Sequence, residues 1–284
     1  MHIPVMLSEV IKYLDIRSNG IYIDSTFGLG GHSHEMLKYL NSDGRLYIFD
    51  KDIDSYNKAN DLFYLDDRVN VFHSSFDDMY LMLKKPDVIG NVSGIIADLG
   101  LSLFQLKSLS KGFGFNCNGF LDMRLDTNQA FRVVDWINFA TKKDLEDVFV
   151  FFDDSLLVKF LVKKIILYRN KHSIKTTKEL FDIIFGVFGF YKGRSMIGKL
   201  FQFIRVFINN DFSLLHVFLK RCLSLLDNGG ILILISFNSL EDMVIKNFLL
   251  NSHRVKSLSF KPSICEIDDN YSARSAHMRI IERI

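Results

Sequence analysis

The sequence predicts an α/β fold with a mostly helical insertion, and three observations support this prediction. Short apolar runs alternate with segments of helical spacing over about the first 100 residues. About 110 residues then separate the fourth apolar run from the fifth, far more than a compact α/β connection needs. The last two runs follow one another with no clear helix between them. These features predict a parallel sheet covered by helices on both faces, an inserted helical domain and an antiparallel strand pair at one edge.

Each predicted strand is a short apolar run bounded by Gly, Asn or acidic residues, which is typical of a strand buried on both faces. The parallel strands are predicted at Ile21–Ile23, Leu46–Phe49, Val69–Phe72, Gly94–Ala97 and Ile231–Ser236. Helices with apolar residues at three- and four-residue spacing are predicted at Ser33–Leu40, Ile53–Leu65, Asp77–Lys84 and Ser213–Leu226. The turn Asp227–Gly230 precedes the fifth strand, and Arg254–Phe260 and His277–Glu282 form the antiparallel pair.

The long interval between strands four and five predicts a domain inserted into another. Residues 1–103 and 212–284 are expected to form the α/β domain, and residues 104–211 the insertion. The stretch Val133–Phe207 has helical spacing and no convincing strand, so the insertion is predicted to be mostly helical.

Composition narrows the class of protein. Of 284 residues, 48% are hydrophobic and 24% charged, as in ordinary globular proteins rather than disordered or multi-span membrane proteins. Cys117, Cys222 and Cys265 form no C-x-x-C pair, so neither a disulfide framework nor a cysteine zinc site is supported. No His/Asp cluster has metal-ligand spacing, and no metal is expected. We expect a protein of the reducing cytoplasm that does not enter a membrane.

The net charge of +2 conceals an uneven distribution of charge. Between Lys159 and Arg205 there are 11 Lys and Arg residues but only Glu179 and Asp182 as acids, a local net charge of +9 that leaves −7 for the rest. A basic segment on an acidic body is consistent with a nucleic-acid-binding surface, although a solvated helix face gives the same pattern.

A glycine-rich loop follows the first predicted strand, in DSTFGLGGHS from Asp24 to Ser33. Glycines at a strand-to-helix turn allow a ligand to approach the backbone, and the next helix offers free N–H groups. The spacing is G-x-G-G, and Asp24 precedes the loop. A carboxylate there repels a pyrophosphate but attracts a sulfonium, which favours S-adenosylmethionine over NAD.

Three further side chains follow the ends of predicted strands. Asp50 after strand two is placed to accept ribose hydroxyls, or it caps the next helix. Phe76 after strand three is a candidate wall for an adenine, or a core residue. Asp98 after strand four is the best chemical candidate, because reacting groups meet at the carboxyl ends of central strands; a structural Asp is the alternative.

The chain resembles the RsmH (MraW) family of ribosomal RNA small-subunit cytosine-N4 methyltransferases, from His2 to Arg283. The matching stretches are His2–Glu9, Asp24–Ser33, Asp98–Gln105, Lys111–Phe115, Leu121–Arg124, Phe201–Arg205, Ser236–Asp242 and Ala273–Ala276. The resemblance implies a class I, Rossmann-like methyltransferase fold with a helical domain inserted after strand four.

The resemblance also implies the site. The cofactor, S-adenosyl-L-methionine, is expected to bind at Gly30, Gly31, His32, Asp50, Phe76, Asp98 and Gln105. Asp98 is the candidate catalytic residue, and the candidate substrate contacts are Arg124, Arg205, Asn238 and Arg274, of which each Arg could instead form a structural pair.

The chain departs from the family pattern at several positions. Asn238 replaces the family's usual His, Lys111 an Arg and Gly114 a Ser, and the segments Ser102–Gln105 and Met196–Leu200 also differ. The replacement of the His by Asn238 affects any role of that position as a proton acceptor, and the other changes affect some RNA contacts. None of these changes affects cofactor binding.

The implied function is methylation of the N4 atom of a cytidine in the decoding region of 16S ribosomal RNA within the small ribosomal subunit. Asp98, with Asn238 or nearby carbonyls, is expected to hold the amine while the two domains clamp the RNA. The alternatives are a methyltransferase for another nucleic acid or a small amine, a non-catalytic RNA-binding assembly factor, and, more remotely, an NAD dehydrogenase. The oligomeric state is left open, a homodimer being one option.

Overall fold

The chain divides into two compact units in a computed structural model. The structure describes residues 3–76, 78–101, 105–106, 108–116, 118–150, 156–189 and 193–284, without the side chains of residues 193–195 and 212. The first unit comprises Met1–Leu101 with Phe212–Ile284, and the second comprises Ser102–Asp211. The second unit begins two residues before the insertion expected from the sequence.

The first unit is built on a seven-stranded sheet. Its strands are β1 (Ile21–Asp24), β2 (Arg45–Asp50), β3 (Val69–His73), β4 (Val92–Asp98), β5 (Leu226–Ser236), β6 (Val255–Phe260) and β7 (His277–Arg283). The order is β3-β2-β1-β4-β5-β7-β6, with β1 to β5 parallel and β7 antiparallel to both of its neighbours. The predicted parallel sheet and the predicted antiparallel pair at its edge are confirmed.

Helices cover both faces of this sheet. They are α1 (Leu7–Leu14), α2 (Gly31–Leu37), α3 (Ile53–Phe63), α4 (Met79–Met82), α10 (Asp211–Leu225), α11 (Ser239–Leu250) and α12 (Ile264–Asp269), with a 3₁₀ turn at Tyr271–Ser275. Alternate strand residues point to opposite faces, so Ile95 packs with Phe218 of α10 while Ile96 packs with Val10 of α1. The central strands β1, β4 and β5 are largely apolar because both of their faces are mostly buried, whereas the edge strand β6 is mostly exposed.

Two details of the tail and of β5 differ from the prediction. A helix and a 3₁₀ turn lie between β6 and β7, where the sequence analysis found no clear helix. The Ser-x-x-Glu pattern at Ser263 was the available signal, because its hydroxyl caps α12 by accepting the Glu266 N–H at 3.1 Å. Strand β5 begins at Leu226, which pairs with Val92; residues 227–230, predicted as a turn, form a bulge before pairing resumes at Ile231.

The second unit is mostly helical over its described residues, as predicted. Its helices are α5 (Val133–Phe139), α6 (Lys142–Phe149), α7 (Leu156–Arg169), α8 (Thr177–Phe188) and α9 (Gly193–Ile208). Capping boxes at Thr141 and Thr176 fix the starts of α6 and α8. An isolated antiparallel bridge joins Phe120 to Thr176. No described helix is both long enough and apolar enough to cross a membrane.

Candidate active site

Three carboxylates stand at the carboxyl ends of three adjacent strands. Asp24 ends β1, Asp50 ends β2 and Asp98 ends β4, and β1 lies between the other two strands. Asp24 pairs in register with Ile48 and Ile96, so Asp50 and Asp98 each lie two residues further along. The sheet order therefore brings negative charge together at the edge where α/β proteins bind ligands.

Asp24 is the most buried of the three, with 2% of its surface exposed. Its Oδ2 accepts the Ser33 hydroxyl at 2.6 Å, and its Oδ1 accepts the Thr26 N–H at 3.1 Å. Burial is the largest influence on its pKa and, with a smaller contribution from the charges of Asp50 and Asp98, raises it to about 7. Asp24 is thus held in place by the glycine loop and by the first turns of α2.

Asp50 connects the glycine loop to the end of β2. Its Oδ2 accepts the Gly28 N–H at 2.8 Å, and its Oδ1 accepts the Asp52 N–H at 2.8 Å. Burial raises the pKa of Asp50 to about 6, against the lowering effect of these two hydrogen bonds. A carboxylate has about four lone-pair directions, so Asp50 retains capacity to accept hydroxyl groups.

Asp98 has one oxygen fixed and one oxygen available. The Gly100 N–H donates to Asp98 Oδ1 at 3.1 Å, whereas Oδ2 accepts no hydrogen bond from the described residues. The Asp98 main-chain N–H donates to Thr26 Oγ1 at 2.6 Å, a link between β4 and the loop that the sequence analysis missed. Burial raises the pKa of Asp98 to about 6, which leaves the carboxylate mostly ionised at neutral pH.

The glycine loop adopts a backbone that few other residues tolerate. Gly28 has φ +56° and Gly30 has φ +85°, both in the left-handed region, and Gly30 is the N-cap of α2. A Cβ at Gly28 would meet nothing within 4 Å, so space opens beside the loop at that position. At Gly30 it would lie 2.4 Å from the Phe27 ring, and at Gly31 2.1 Å from Pro4 Cγ. The loop presents backbone rather than side chains to this space.

The remaining candidate cofactor residues are buried in different surroundings. His32 is 7% exposed on α2. Phe76 belongs to the hydrophobic core, with its ring centroid 4.9 Å from that of Phe218 and the Lys51 ammonium 5.8 Å from its centre. Gln105 lies in the second unit with 6% of its surface exposed, and the preceding Ser102–Phe104 lie outside the described residues.

Asn238 follows β5 and caps the next helix. Its Oδ1 accepts the N–H groups of Leu240 at 3.0 Å and Glu241 at 2.8 Å. Because Oδ1 is occupied by the helix N-terminus, the side chain is oriented with its NH₂ group away from α11. The expectation that Asn238 helps to hold a substrate amine stays a prediction, but its acceptor atom is already used.

An ion network that the sequence analysis missed fixes the start of α11 to β7. Asp242 accepts the Arg279 Nε–H at 2.6 Å, lies 3.0 Å from His277 Nδ1 and pairs with Lys246 at 2.8 Å. These partners outweigh burial and lower the pKa of Asp242 to about 2. The Ser236–Asp242 stretch contained the carboxylate, but no sequence spacing indicated its partners.

The three candidate arginines differ in what their side chains contact. Arg124 donates from Nε and Nη2 to the two carboxylate oxygens of Asp122, at 2.6 and 2.9 Å, and from Nη1 to the carbonyls of Thr127 and Gln129. Arg205 is 8% exposed on α9. Arg274 is exposed, stacks 4.2 Å above the Tyr271 ring and donates one hydrogen bond to the Tyr271 carbonyl. The geometry favours a structural role for Arg124 and leaves Arg274 accessible to a phosphate.

This contrast predicts opposite effects of the same substitution. Arg124→Met leaves Asp122 without its charge-assisted hydrogen bonds and should lower the free energy of unfolding by about 2 to 3 kcal/mol. Arg274→Met, at an exposed position, should change stability by less than about 0.5 kcal/mol but weaken RNA binding. Urea unfolding and RNA titration of both variants test this pair. Equal stability of the two variants would contradict the structural role of Arg124.

The raised pKa values predict a pH-dependent affinity for a cationic cofactor. A cation binds best when the three carboxylates are ionised, so affinity should rise as pH increases from about 5.5 to 8 and protons should be released on binding. The raised pKa values have the opposite effect on the stability of the free protein. Its folded state binds protons more tightly than its unfolded state, so the contribution of these carboxylates to the free energy of unfolding falls as the pH rises from about 4 to 7. Calorimetry in two buffers of different ionisation enthalpy measures the proton release, which Asp24→Asn should reduce; an affinity independent of pH would argue against the arrangement.

Comparison with known proteins gives a consistent result over the whole chain. A model of the MraW methylase family matches residues 1–284. Ribosomal RNA small subunit methyltransferase H of Wigglesworthia glossinidia brevipalpis is 40% identical over 267 residues, covering 94% of this chain and 86% of the relative. The protein of the same name from Legionella pneumophila is 36% identical, covering 100% of this chain and 99% of the relative. A solved rRNA methylase from Streptococcus thermophilus, at 10% identity and a TM-score of 0.46 with 100% and 99% coverage, is too distant to support an inference.

Proposed function

The chain belongs to the MraW methylase family, and on that premise we propose that it methylates the N4 atom of a cytidine in the decoding region of 16S ribosomal RNA in the small ribosomal subunit. The coarser statement needs no proposal: the chain is an S-adenosylmethionine-dependent methyltransferase with a Rossmann-like α/β sheet. Ribosomal RNA as the substrate would place its action in the cytoplasm.

The described residues fit the cofactor. Its sulfonium and ammonium groups are cationic, and the site offers the carboxylates of Asp24, Asp50 and Asp98. The open space at Gly28 permits close approach to the loop backbone. We assign Gly30, Gly31 and Asp50 to cofactor binding, with His32, Phe76 and Gln105 as further candidates. When bound, the cofactor supplies an electrophilic methyl group.

The main support for the proposal is the carboxylate of Asp98, which has one oxygen fixed and one available. The N4 amine of cytosine is a poor nucleophile, because its lone pair is delocalised into the ring. A fixed carboxylate can orient this amine by accepting one of its N–H groups and can stabilise the positive charge that develops on nitrogen. Gly100 holds Oδ1 of Asp98, and Oδ2 remains to accept the amine N–H. Methylation of the amine releases one proton, which Asp98 can accept before it passes to solvent.

No residue of the chain needs to form a covalent bond with the substrate. The amine itself attacks the methyl group, so the protein must align the two and exclude competing water. A cytosine in a helix is stacked and paired, and its N4 atom can reach Asp98 only after the base leaves the stack. We therefore propose that the RNA segment bound by this protein is single-stranded or distorted at the target.

Transfer of labelled methyl groups to small subunits from cells that lack this protein tests the proposal. Nucleoside mass spectrometry should identify N4-methylcytidine, and the same cells should lack that nucleoside in their small-subunit RNA. Intact subunits should be much better substrates than a naked oligonucleotide of the same sequence. A control variant, Asp61→Asn, removes an exposed carboxylate on α3 and should methylate subunits as well as the parent chain does.

Three results would overturn the proposal. A methyl group on carbon 5 would exclude the N4 assignment. Equal transfer to naked oligonucleotides or to small amines would favour the broader methyltransferase. No transfer to subunits, under conditions in which calorimetry shows cofactor binding, would exclude this substrate.

A further inference from the structure

The basic residues of the second unit are not equivalent in the structure. Arg169 donates to the carbonyls of Ile137 and Ala140 at 2.8 and 2.7 Å, and Lys178 pairs with Asp182 at 3.0 Å. Arg205 is buried on α9. These side chains are used within the unit. Lys159, Lys163 and Lys164, by contrast, are exposed on α7 and form no ion pair with any residue that the structure describes.

Helix α7 has two distinct faces. Its buried face consists of Val158, Leu161, Val162 and Ile165, and the helix packs against α6 and α8. The outward side consists of residues 156, 159, 160, 163, 164 and 167, which share one side of a helix at about 100° per residue. We call these six residues the α7 face.

The α7 face combines lysines with exposed apolar side chains. Leu156, Phe160 and Leu167 are 70%, 55% and 51% exposed, and they form a strip with lysines on both sides. A single exposed apolar residue is ordinary on a protein surface, but Phe160 is grouped with two leucines on one side of the helix, and such a grouping marks an interaction site. The side chain is available to a flat apolar partner, such as a nucleic-acid base.

The surroundings of the α7 face carry little negative charge. The sequence contains no Asp or Glu between Leu156 and Lys178, and the two acids that precede the helix, Asp153 and Asp154, lie outside the described residues. On the neighbouring helices, Glu146 pairs with Lys142, Asp182 pairs with Lys178, and Glu179 accepts hydrogen bonds from the Lys175 and Thr176 N–H groups. Asp144 of α6 accepts hydrogen bonds from Thr141 in the capping box, and Asp147 of the same helix is exposed. Among the described residues the three lysines of α7 form no ion pair, so their charges remain available to attract a polyanion.

We propose that the α7 face binds ribosomal RNA, an inference that rests on the proposed function. In this proposal Lys159, Lys163 and Lys164 contact phosphates, and Phe160 stacks on an unpaired base. Lysine contacts supply affinity that depends on salt but not on sequence. Stacking on an aromatic side chain requires a base that is not paired, which fits the single-stranded or distorted RNA that the proposed function requires. An anionic membrane is the weaker alternative, because the larger apolar face of α7 is packed inside the unit and only three apolar side chains protrude.

Charge reversal on the α7 face tests the proposal. The variant with Lys159→Glu, Lys163→Glu and Lys164→Glu should bind a small-subunit RNA fragment at least tenfold more weakly, and its slope of log affinity against log salt should fall by about two to three. Phe160→Ala should weaken binding to a single-stranded fragment about tenfold and leave the salt slope unchanged. Calorimetry with S-adenosylmethionine should give the same affinity for both variants as for the parent chain.

A matched control reverses three lysines elsewhere. Lys84, Lys220 and Lys256 are exposed on the first unit, and changing them to Glu alters the net charge by the same amount. RNA affinity and salt slope that fall equally in the control would overturn the proposal. Should the α7 variant fail to fold, as judged by circular dichroism, the lysine-to-glutamine series provides the same comparison with a smaller expected change.

The assay separates this inference from the proposed function. Binding to RNA is measured without methyl transfer, so a parent chain that binds through the α7 face but methylates no subunit would sustain this inference and refute the function. If the charge-reversed chain methylates subunits normally and its RNA affinity is unaffected, the proposed function is sustained and the inference about the α7 face is refuted. Binding of phosphatidylglycerol vesicles that depends on the α7 lysines, with RNA binding unchanged, would also overturn the inference.

Discussion

Replacing Asp98 with asparagine is expected to lower kcat for methyl transfer about 100-fold, within the range for loss of a group that manages a proton. Asparagine retains the size of the side chain and an oxygen to accept the Gly100 N–H. It loses the negative charge that would stabilise the amine as it is methylated, and its second atom is an N–H donor rather than an acceptor. Cofactor affinity should fall less than kcat, because Asp24 and Asp50 retain their charges.

Single-turnover transfer to small subunits and calorimetry with S-adenosylmethionine separate these two effects for Asp98→Asn. The exposed Asp61→Asn change on α3 removes the same charge from the chain and should leave both quantities unchanged. A variant with normal kcat at saturating cofactor and a strongly weakened affinity would show that Asp98 only binds the cofactor.

Gly30→Ala is expected to weaken S-adenosylmethionine binding by tenfold to 100-fold. Alanine at φ +85° costs about 1 to 2 kcal/mol in the backbone, and its Cβ would lie 2.4 and 2.6 Å from two atoms of the Phe27 ring. The Phe27 ring is 4% exposed, and the Phe27 N–H donates to the Phe49 carbonyl of β2 at 3.1 Å. Because Phe27 is buried, relief of the clash displaces its ring or the glycine loop, and movement of the loop would draw the Gly28 N–H away from Asp50.

Gly229→Ala isolates the backbone part of this effect. Gly229 has φ +83°, almost the same as Gly30, but a Cβ there meets nothing within 4 Å. Urea unfolding should show the cost of backbone strain alone for Gly229→Ala and that cost plus the cost of the Phe27 clash for Gly30→Ala, while only Gly30→Ala should lose cofactor affinity. Normal cofactor binding by Gly30→Ala would show that the loop does not contact the cofactor.

The sheet was predictable because burial on both faces leaves a simple signal. Strands β1 to β5 are apolar runs, and their positions, direction and helical cover follow from that pattern. The helix between β6 and β7 was missed because α12 has no buried residue and therefore no apolar periodicity. Its only sequence signal is the Ser263 cap.

The candidate site was predictable in residue type but not in contacts. Asp24, Asp50 and Asp98 could be assigned because the ends of parallel strands meet at one edge. Sequence does not distinguish an arginine that binds phosphate from one that pairs with a carboxylate. Arg124 and Arg274 were therefore equal candidates for a phosphate contact, and only their contacts in the structure separate them. In the same way, Phe76 could not be separated from an ordinary core residue, and its ring packs against Phe218.

The strand order has a consequence for synthesis of the chain. Strand β4 lies beside β5, although the whole second unit is made between them, and β7 follows β6 in the chain yet separates β6 from β5. Strand β6 therefore cannot join the sheet until β7 has left the ribosome, and the edge of β5 stays without its partner during that interval. We expect folding to be limited by these distant pairings, so that a nascent chain depends on protection of β5 until translation of β7 is complete.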